Sequence, residues 1–483
     1  MSADPTEPRV VQSLVPARLD RLPWSRFHTR LVIALGVTWV LDGFEITVAS
    51  LVGPVLQSHE TLGLGSEDVG RVASVYLIGE VVGALVFGYL SDRLGRRRLF
   101  LATLALYFVA SGLTAFSMGY VSLLVFRFFA GAGIGGEYAA INSAIDELIP
   151  ARHRGHTDLA INGTYWLGAM IAAGSEAFLL DPALLPIDVG WRVGLLLGPL
   201  VVVAIAGLRS ALPESPRWLL MRGHEAEAEH MVARIEDEVC AYGHRLDPVD
   251  PSCAITIGAA RPMGYGTLAR VLFERYPSRS LVSVALMASQ SFLYNAIFFT
   301  YGLVLTHFYA IPPSHVPRYF YAFALGNLLG PLLLGRFFDT IGRKRMIAGT
   351  YLLAGCLLAV SGKLFVDGHL TATTQTMCWS LVFFVGSAAA SSAYLTVSEI
   401  FPLEIRAQAI AVFFAVAQVV GAAGPWIFAS LIGDGTEPTR LFHGYLVAAG
   451  MMILGGLAQW RFGVEAARVS LEDVASPLCK VER

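Results

Sequence analysis

Charge is scarce in this chain. Only 15% of its 483 residues are Asp, Glu, Lys or Arg, where a soluble globular protein carries about 25%. A water-facing surface of ordinary size cannot be assembled from so few charges. Cysteine is sparse as well. Cys240, Cys253, Cys356, Cys378 and Cys479 are scattered over predicted helices, a central loop and the tail, which fits neither a disulfide framework nor a metal cluster. There is no G-x-x-x-x-G-K-[ST] phosphate loop, so ATP-driven work by that device is excluded. The run GAGIGG (Gly131 to Gly136) matches a dinucleotide fingerprint, but it lies within an apolar helical stretch rather than after a strand. It reads as close helix packing. His153 and His156 stand three apart in a polar loop without further ligands nearby and read as solvated. No nucleophile, metal or cofactor constellation is visible, so neither an enzyme nor a cofactor is expected. The first 30 residues contain no short apolar core ending in a cleavage site and read as a cytoplasmic leader rather than a signal peptide.

Apolar sequence is abundant: 55% of residues are hydrophobic, with a mean hydropathy of +0.59. The 48 glycines suit close helix contacts in lipid. A spanning helix needs about 20 mainly apolar residues. Twelve such stretches occur, near 31–53, 72–90, 99–117, 120–146, 157–180, 191–211, 280–308, 318–338, 347–366, 372–397, 407–432 and 440–461. The tenth is the poorest, being rich in Ser, Ala and Thr. Arginines and lysines gather after the second, fourth and eighth stretches, which places both termini on the cytoplasmic side. The expected organisation is a leader (1–30), a first bundle (31–211), a central cytoplasmic loop (212–278), a second bundle (279–462) and a tail (463–483). Within the loop, His224 to Val239 has the spacing of an amphipathic helix lying under the membrane. The net charge of −2 says little about partners, and no nucleic acid is expected.

A charged turn is written twice. GYLSDRLGRRR (Gly88 to Arg98) returns as GRFFDTIGRKR (Gly335 to Arg345), and ELIPARHRG (Glu147 to Gly155) returns as EIFPLEIRA (Glu399 to Ala407). Two signatures repeated in the same order predict an all-α membrane protein of twelve transmembrane helices in two pseudo-symmetric six-helix bundles. The repeated charges form candidate gates at one membrane face. Asp92, Arg96 and Arg98 belong with Glu147 and Arg154; Asp339, Arg343 and Arg345 belong with Glu399 and Arg406. Ion pairs at such a boundary can form in one state and break in another. The competing reading is that the bases only set topology.

Among the ionisable residues inside predicted spans, four stand out: Asp42, Glu45, Glu80 and Arg127. Each costs about 2.5–3.5 kcal/mol on insertion scales, so each is a functional candidate.

Together with the doubled turns, RFFAGAGIG (Arg127 to Gly135) and LPESPRWLLMRGHEAEA (Leu212 to Ala228) carry a family likeness. Over almost its whole length the chain resembles the sugar-porter and metabolite–proton symporter branch of the major facilitator superfamily. That resemblance implies alternating access in a cell membrane, a small-molecule substrate, coupling to protons and a monomer in the lipid bilayer. It places Glu45 at the acid that exchanges a proton in sugar porters and Arg127 at its basic partner. Asp42 is extra; its Asp-Gly-aromatic-acid run is similar to the first helix of aromatic-acid–proton symporters. Glu137 is similar to a feature of organic-acid symporters, and Glu80 is not a glucose-porter residue. The substrate site is expected at Asn162, Gln290 and Asn295, with Tyr294 and Phe298 as stacking rings. Tyr394 stands where sugar porters have Trp, and the preceding Gly-Pro is missing. The tail keeps Ser470 to Asp473 but degrades the preceding Pro-Glu-Thr-x-Gly to Val464–Arg468. An organic acid, including an aromatic one, or a sugar is the implied substrate. An uncoupled facilitator, an exporter and a transport-inactive sensor are the alternatives.

Overall fold

Twelve long helices account for the apolar stretches. They are α1 (Arg26–Val52), α2 (Ser66–Leu94), α3 (Arg96–Ala115), α4 (Tyr120–Leu148), α5 in two pieces (Arg154–Gly163 and Tyr165–Leu179), α6 (Ile187–Arg209), α7 (Pro277–Tyr309), α8 (Val316–Thr340), α9 (Arg343–Val366), α10 (Ala372–Ile400), α11 (Leu403–Ile432) and α12 (Pro438–Phe462). The computed structural model describes residues 10–94, 96–150, 152–209, 216–221, 223–258, 264–469 and 471–476; within these, the side chains of 10, 11, 88, 89, 91–101, 137–147, 154, 200–209, 217, 218, 221, 255–258, 403, 404, 407 and 472 lie outside the description. Among the described residues, eight helices are long and apolar enough to cross a membrane. They include α10, whose Ser, Ala and Thr content lowers its hydropathy without interrupting the helix. The protein is a multi-pass integral membrane protein of two pseudo-symmetric six-helix bundles.

Small residues let these helices close on one another. A side chain at Gly79, Gly83, Gly131 or Gly135 would strike backbone of the facing helix, so α2 and α4 touch along two glycine pairs spaced four apart. This contact explains the GAGIGG run. It also sets Glu80, because Gly131 and Gly135 pack on the backbone from Tyr76 to Glu80. Gly43 of α1 and Gly168 of α5 interlock in the same way, beside a hydrogen bond from Thr164 Oγ1 to Gly36 O of 3.0 Å at the break in α5. Replacing Gly131 with leucine is expected to destabilise the bundle by more than the about 1–3 kcal/mol usual for overpacking, since backbone obstructs it. Size-exclusion chromatography in detergent checks this as loss of the monodisperse peak.

Outside the bundles, the expected amphipathic helix is present (Glu225–Ala241), but its apolar face is not turned to lipid. Ala228, Val232, Ile235 and Val239 form a small core with Val15, Leu19 and Leu22 of the leader. Residues Val10–Ser13 and Ile255–Gly258 pair as two short antiparallel strands, a local addition to an otherwise helical chain. Arg18 Nη2 and Arg21 Nη2 reach Glu236 at 2.5 and 2.6 Å, and Arg18 also bonds Glu229. Burial pushes the Glu236 carboxyl up, but the two arginines outweigh it and hold the group below the usual glutamate range. A depressed carboxyl contributes stability above its unfolded pKa and loses it as pH falls through the folded one. Docking of the leader is therefore expected to persist at neutral pH and to release below about pH 4, the region under the ordinary glutamate value. Hydrogen exchange of residues 10–21 against pH measures this.

Candidate functional site

Between the two bundles lies a cavity of about 120 Å³. All six sequence-predicted substrate residues border it: Asn162, Gln290, Tyr294, Asn295, Phe298 and Tyr394. Trp39, Tyr165, Trp166 and Phe299 extend the aromatic wall. The rings brace one another, with Trp166 5.9 Å from both Tyr294 and Phe298 and Tyr294 edge-on to Phe383 at 4.8 Å. Tyr294 is fixed further by donating to Asn327 Oδ1 at 2.9 Å. Gln290 Nε2, on the cavity wall, is buried without a hydrogen-bond partner and can donate to a solute. Among the described residues, no lysine, arginine or histidine borders the cavity.

Among the described residues, the one carboxyl on this wall is Glu80. It accepts a hydrogen bond from Gln418 Nε2 of α11, across the boundary between bundles. Gln418 Oε1 in turn accepts from Ser291 Oγ at 2.6 Å and Asn295 Nδ2 at 3.3 Å. The sequence reading noted Glu80 but not Gln418 or Ser291. A lone glutamine within AVAQVV was the available signal.

Glu45 and Asp42 are buried but do not border the cavity. Glu45 Oε1 stands 3.8 Å from Arg127 Nη1, an ion-pair separation longer than a direct hydrogen bond, and its other oxygen accepts from Tyr107 OH of α3. The Arg127 guanidinium lies over the Tyr76 ring at 4.1 Å, one turn before Glu80. Acid and base thus sit behind the cavity wall, with Tyr76 between them and Glu80. A further acid, Glu176 in α5, escaped the sequence reading although GSEAF places it in a span. It is fully buried, both carboxyl oxygens lack partners, and it packs toward Gly194 of α6, one turn from Gly198 against which Glu45 packs.

At the end of the molecule that carries the termini, Arg343 binds two acids. Its Nη1 reaches Asp339 Oδ1 at 2.7 Å, and its Nε and Nη2 meet Glu399 at 3.1 and 3.2 Å. Asp339 Oδ2 also accepts from the backbone N–H of His156 at 2.9 Å, at the start of α5 in the other bundle, where a carboxylate meets the positive helix end. Gly155 packs on the same guanidinium. The cluster therefore joins the two halves. Glu465, within the degraded tail motif, accepts from the backbone N–H groups of Arg343 and Lys344 at 2.7 and 3.2 Å, anchoring the tail to the start of α9. Arg406 is buried and donates to Phe401 O at 3.2 Å, while Arg345 is exposed and outside the cluster. The side chains of Asp92, Arg96, Arg98, Glu147, Arg154 and Glu137 lie outside the described residues. At the opposite end the halves meet again, through Trp426 Nε1 to Glu67 Oε1 at 3.0 Å and Ser50 Oγ to Phe298 O at 2.7 Å.

Two six-helix bundles enclosing a polar and aromatic cavity, with contact layers at both ends, define a membrane transporter of the major facilitator type, not an enzyme. The sugar (and other) transporter family model matches residues 37–477, and the chain belongs to that family. Among its relatives, the niacin transporter NiaP of Acinetobacter baylyi is 27% identical over 446 residues, covering 91% of this chain and 96% of the relative. The inner membrane metabolite transport protein YgcS of Escherichia coli K12 is 26% identical over 467 residues, covering 94% and 96%. The proton:xylose symporter XylE of E. coli, solved with 6-bromo-6-deoxy-D-glucose, superposes with a TM-score of 0.75 at 20% identity, covering 93% of this chain and 98% of that one.

Proposed function

We propose that this protein is a proton-coupled symporter that brings a small organic acid, aromatic in its preferred form, across a cell membrane by alternating access. It works as a single chain with both termini on the cytoplasmic side, where the positive-inside rule puts the Arg-rich turns. The observation that carries the reading is the pairing of an amide- and ring-lined cavity between the bundles with the buried Glu45–Arg127 pair behind its wall. An acid held by a guanidinium is charged; moving the two apart makes the charge costly and favours taking up a proton. Conformational change of the bundles and proton exchange at Glu45 are thereby linked, with Asp42 beside it as an additional acid.

The substrate class follows from the lining. Four amides, Asn162, Gln290, Asn295 and Gln418, present donors and acceptors together, and the clustered rings suit a planar solute. Amides alone suit a sugar equally well. Tyr394 in place of Trp and the density of rings favour the aromatic acid, as does the relative named for niacin.

The test is uptake into proteoliposomes with an inward proton gradient, offering nicotinate and xylose in parallel. Nicotinate is expected to accumulate, and a protonophore to abolish the accumulation. Accumulation of xylose alone overturns the substrate class, and entry unaffected by the protonophore overturns the coupling.

A further inference from the structure

The hydrogen-bonded chain from Glu80 through Gln418 to Ser291 and Asn295 has a consequence for how substrate and proton meet. It crosses from one bundle to the other, and both of its ends border the cavity. We propose that Glu80 is a second proton-binding group, in contact with the substrate site, and that its protonation reverses the hydrogen bonds running through Gln418, changing what Ser291 and Asn295 offer to the solute. The inference rests on the transport reading above and adds to it a site separate from the Glu45–Arg127 pair.

The reversal follows from the chemistry of an amide. A carboxylate only accepts hydrogen bonds; a carboxylic acid also donates one. In the arrangement seen, Glu80 accepts from Gln418 Nε2, and Gln418 Oε1 accepts from Ser291 Oγ at 2.6 Å. The Ser291 hydrogen is thus committed to Gln418, and the cavity faces a carboxylate. When a proton from solution adds to Glu80, the new O–H donates to Gln418 Oε1, and the amide turns over. Its Nε2 then donates toward Ser291 Oγ, which frees the serine hydrogen to rotate into the cavity. No other covalent bond changes. Ionised Glu80 repels an anionic solute while Ser291 withholds its donor; protonated Glu80 removes the charge and releases the donor. Protonation of Glu80 therefore favours binding of the anion, while the proton that drives accumulation stays with Glu45.

The groups facing Glu80 are consistent with such a switch. Tyr76 lies on its own helix, Arg127 approaches from α4, Tyr165 from α5 and Tyr394 from α10, while Glu45 and Asp42 of α1 lie beyond Tyr76. From α11 and α7 the partners are the uncharged Gln418, Ser291 and Asn295. The guanidinium already faces Glu45 at 3.8 Å and stacks on Tyr76, so it is not a dedicated partner of Glu80.

The experiment uses the purified full-length protein and nicotinate, with binding read from quenching of the cavity tryptophans Trp39 and Trp166 between pH 5.5 and 8.5. Wild-type affinity is expected to fall about tenfold per pH unit on the alkaline limb, the slope of one linked proton. In Glu80→Gln it is expected to vary less than about threefold over the range, at a level near the wild-type value at low pH. Ser291→Ala is expected to weaken low-pH binding about tenfold, the weight of one hydrogen bond to a charged group. A ligand-free arm records pH-difference infrared spectra: a protonated-carboxyl band present in wild type should vanish in Glu80→Gln and shift in Gln418→Met. Should Glu80→Gln not fold, Gln418→Met carries the binding arm as well, with its pH dependence expected to drop below the wild-type slope. Retention of the full wild-type pH dependence in Glu80→Gln, or an unchanged infrared band, overturns the proposal. Failure of nicotinate to bind wild type at any pH overturns the substrate class instead, and the infrared arm still decides Glu80.

Discussion

Glu45→Gln is expected to stop accumulation while leaving exchange. The amide keeps the shape of the carboxyl and its bond with Tyr107, but it cannot take up or release a proton. With a gradient of one pH unit, one coupled proton supports about tenfold accumulation, equivalent to about 1.4 kcal/mol. The variant should level off at equal concentrations inside and out, while labelled solute preloaded in the vesicles still exchanges with unlabelled solute outside. Accumulation at the wild-type ratio would remove Glu45 from the mechanism. Loss of both accumulation and exchange would mean that Glu45 holds the bundle together instead. Arg127→Lys supplies the matching control: it keeps the positive charge but loses the planar group that lies over Tyr76, so slowed but still coupled transport is expected.

The second large effect belongs to the terminal-end cluster. Arg343→Gln leaves Asp339 and Glu399 buried side by side without their base. Removing one partner of a buried pair costs about 3–5 kcal/mol. Here that cost falls on the state in which Asp339 also bonds His156 of the other half. Even 3 kcal/mol is more than a hundredfold in a two-state population. The variant is expected to rest with the terminal end open. Spin labels at the exposed positions Arg152 and Thr340, in a background free of native cysteines, report this as a lengthened distance distribution. Unchanged distances would show that Arg343 sets topology without latching the halves. The double variant Arg343→Gln/Glu399→Gln, which removes one of the stranded charges, should recover part of the closed population.

Much of this architecture was legible because the bilayer demands it. A helix that must cross lipid announces itself by length and hydropathy, so all twelve were visible, and the doubled turns gave their grouping into halves. The break in α5 at Thr164 left no mark, since the hydroxyl that ties it to Gly36 is an ordinary residue within an apolar run. The docking of the leader was missed for a related reason. An apolar stripe on residues 225–241 looks the same whether lipid or another helix covers it, and only the pairing of Arg18 and Arg21 with Glu236 tells them apart. At the site, Gln290 and Asn295 could be placed through the resemblance, because they keep the spacing of the sugar-porter Gln…Asn signature. Gln418 could not, because its role depends on which residue of the other bundle stands opposite. The separation of Glu45 from the cavity likewise depends on helix rotation, which periodicity alone does not fix when a helix is buried on most sides. Glu176 was readable and overlooked: a charged residue in a span is a signal wherever it falls.

The coupling of solute to proton is tested most directly by the pH of a weakly buffered suspension of proteoliposomes, followed as nicotinate is added outside with no other gradient present. Symport predicts immediate alkalinisation of the medium, with one proton taken up per nicotinate in wild type and none in Glu45→Gln. Entry of nicotinate with no change in external pH, or with acidification, would contradict the account.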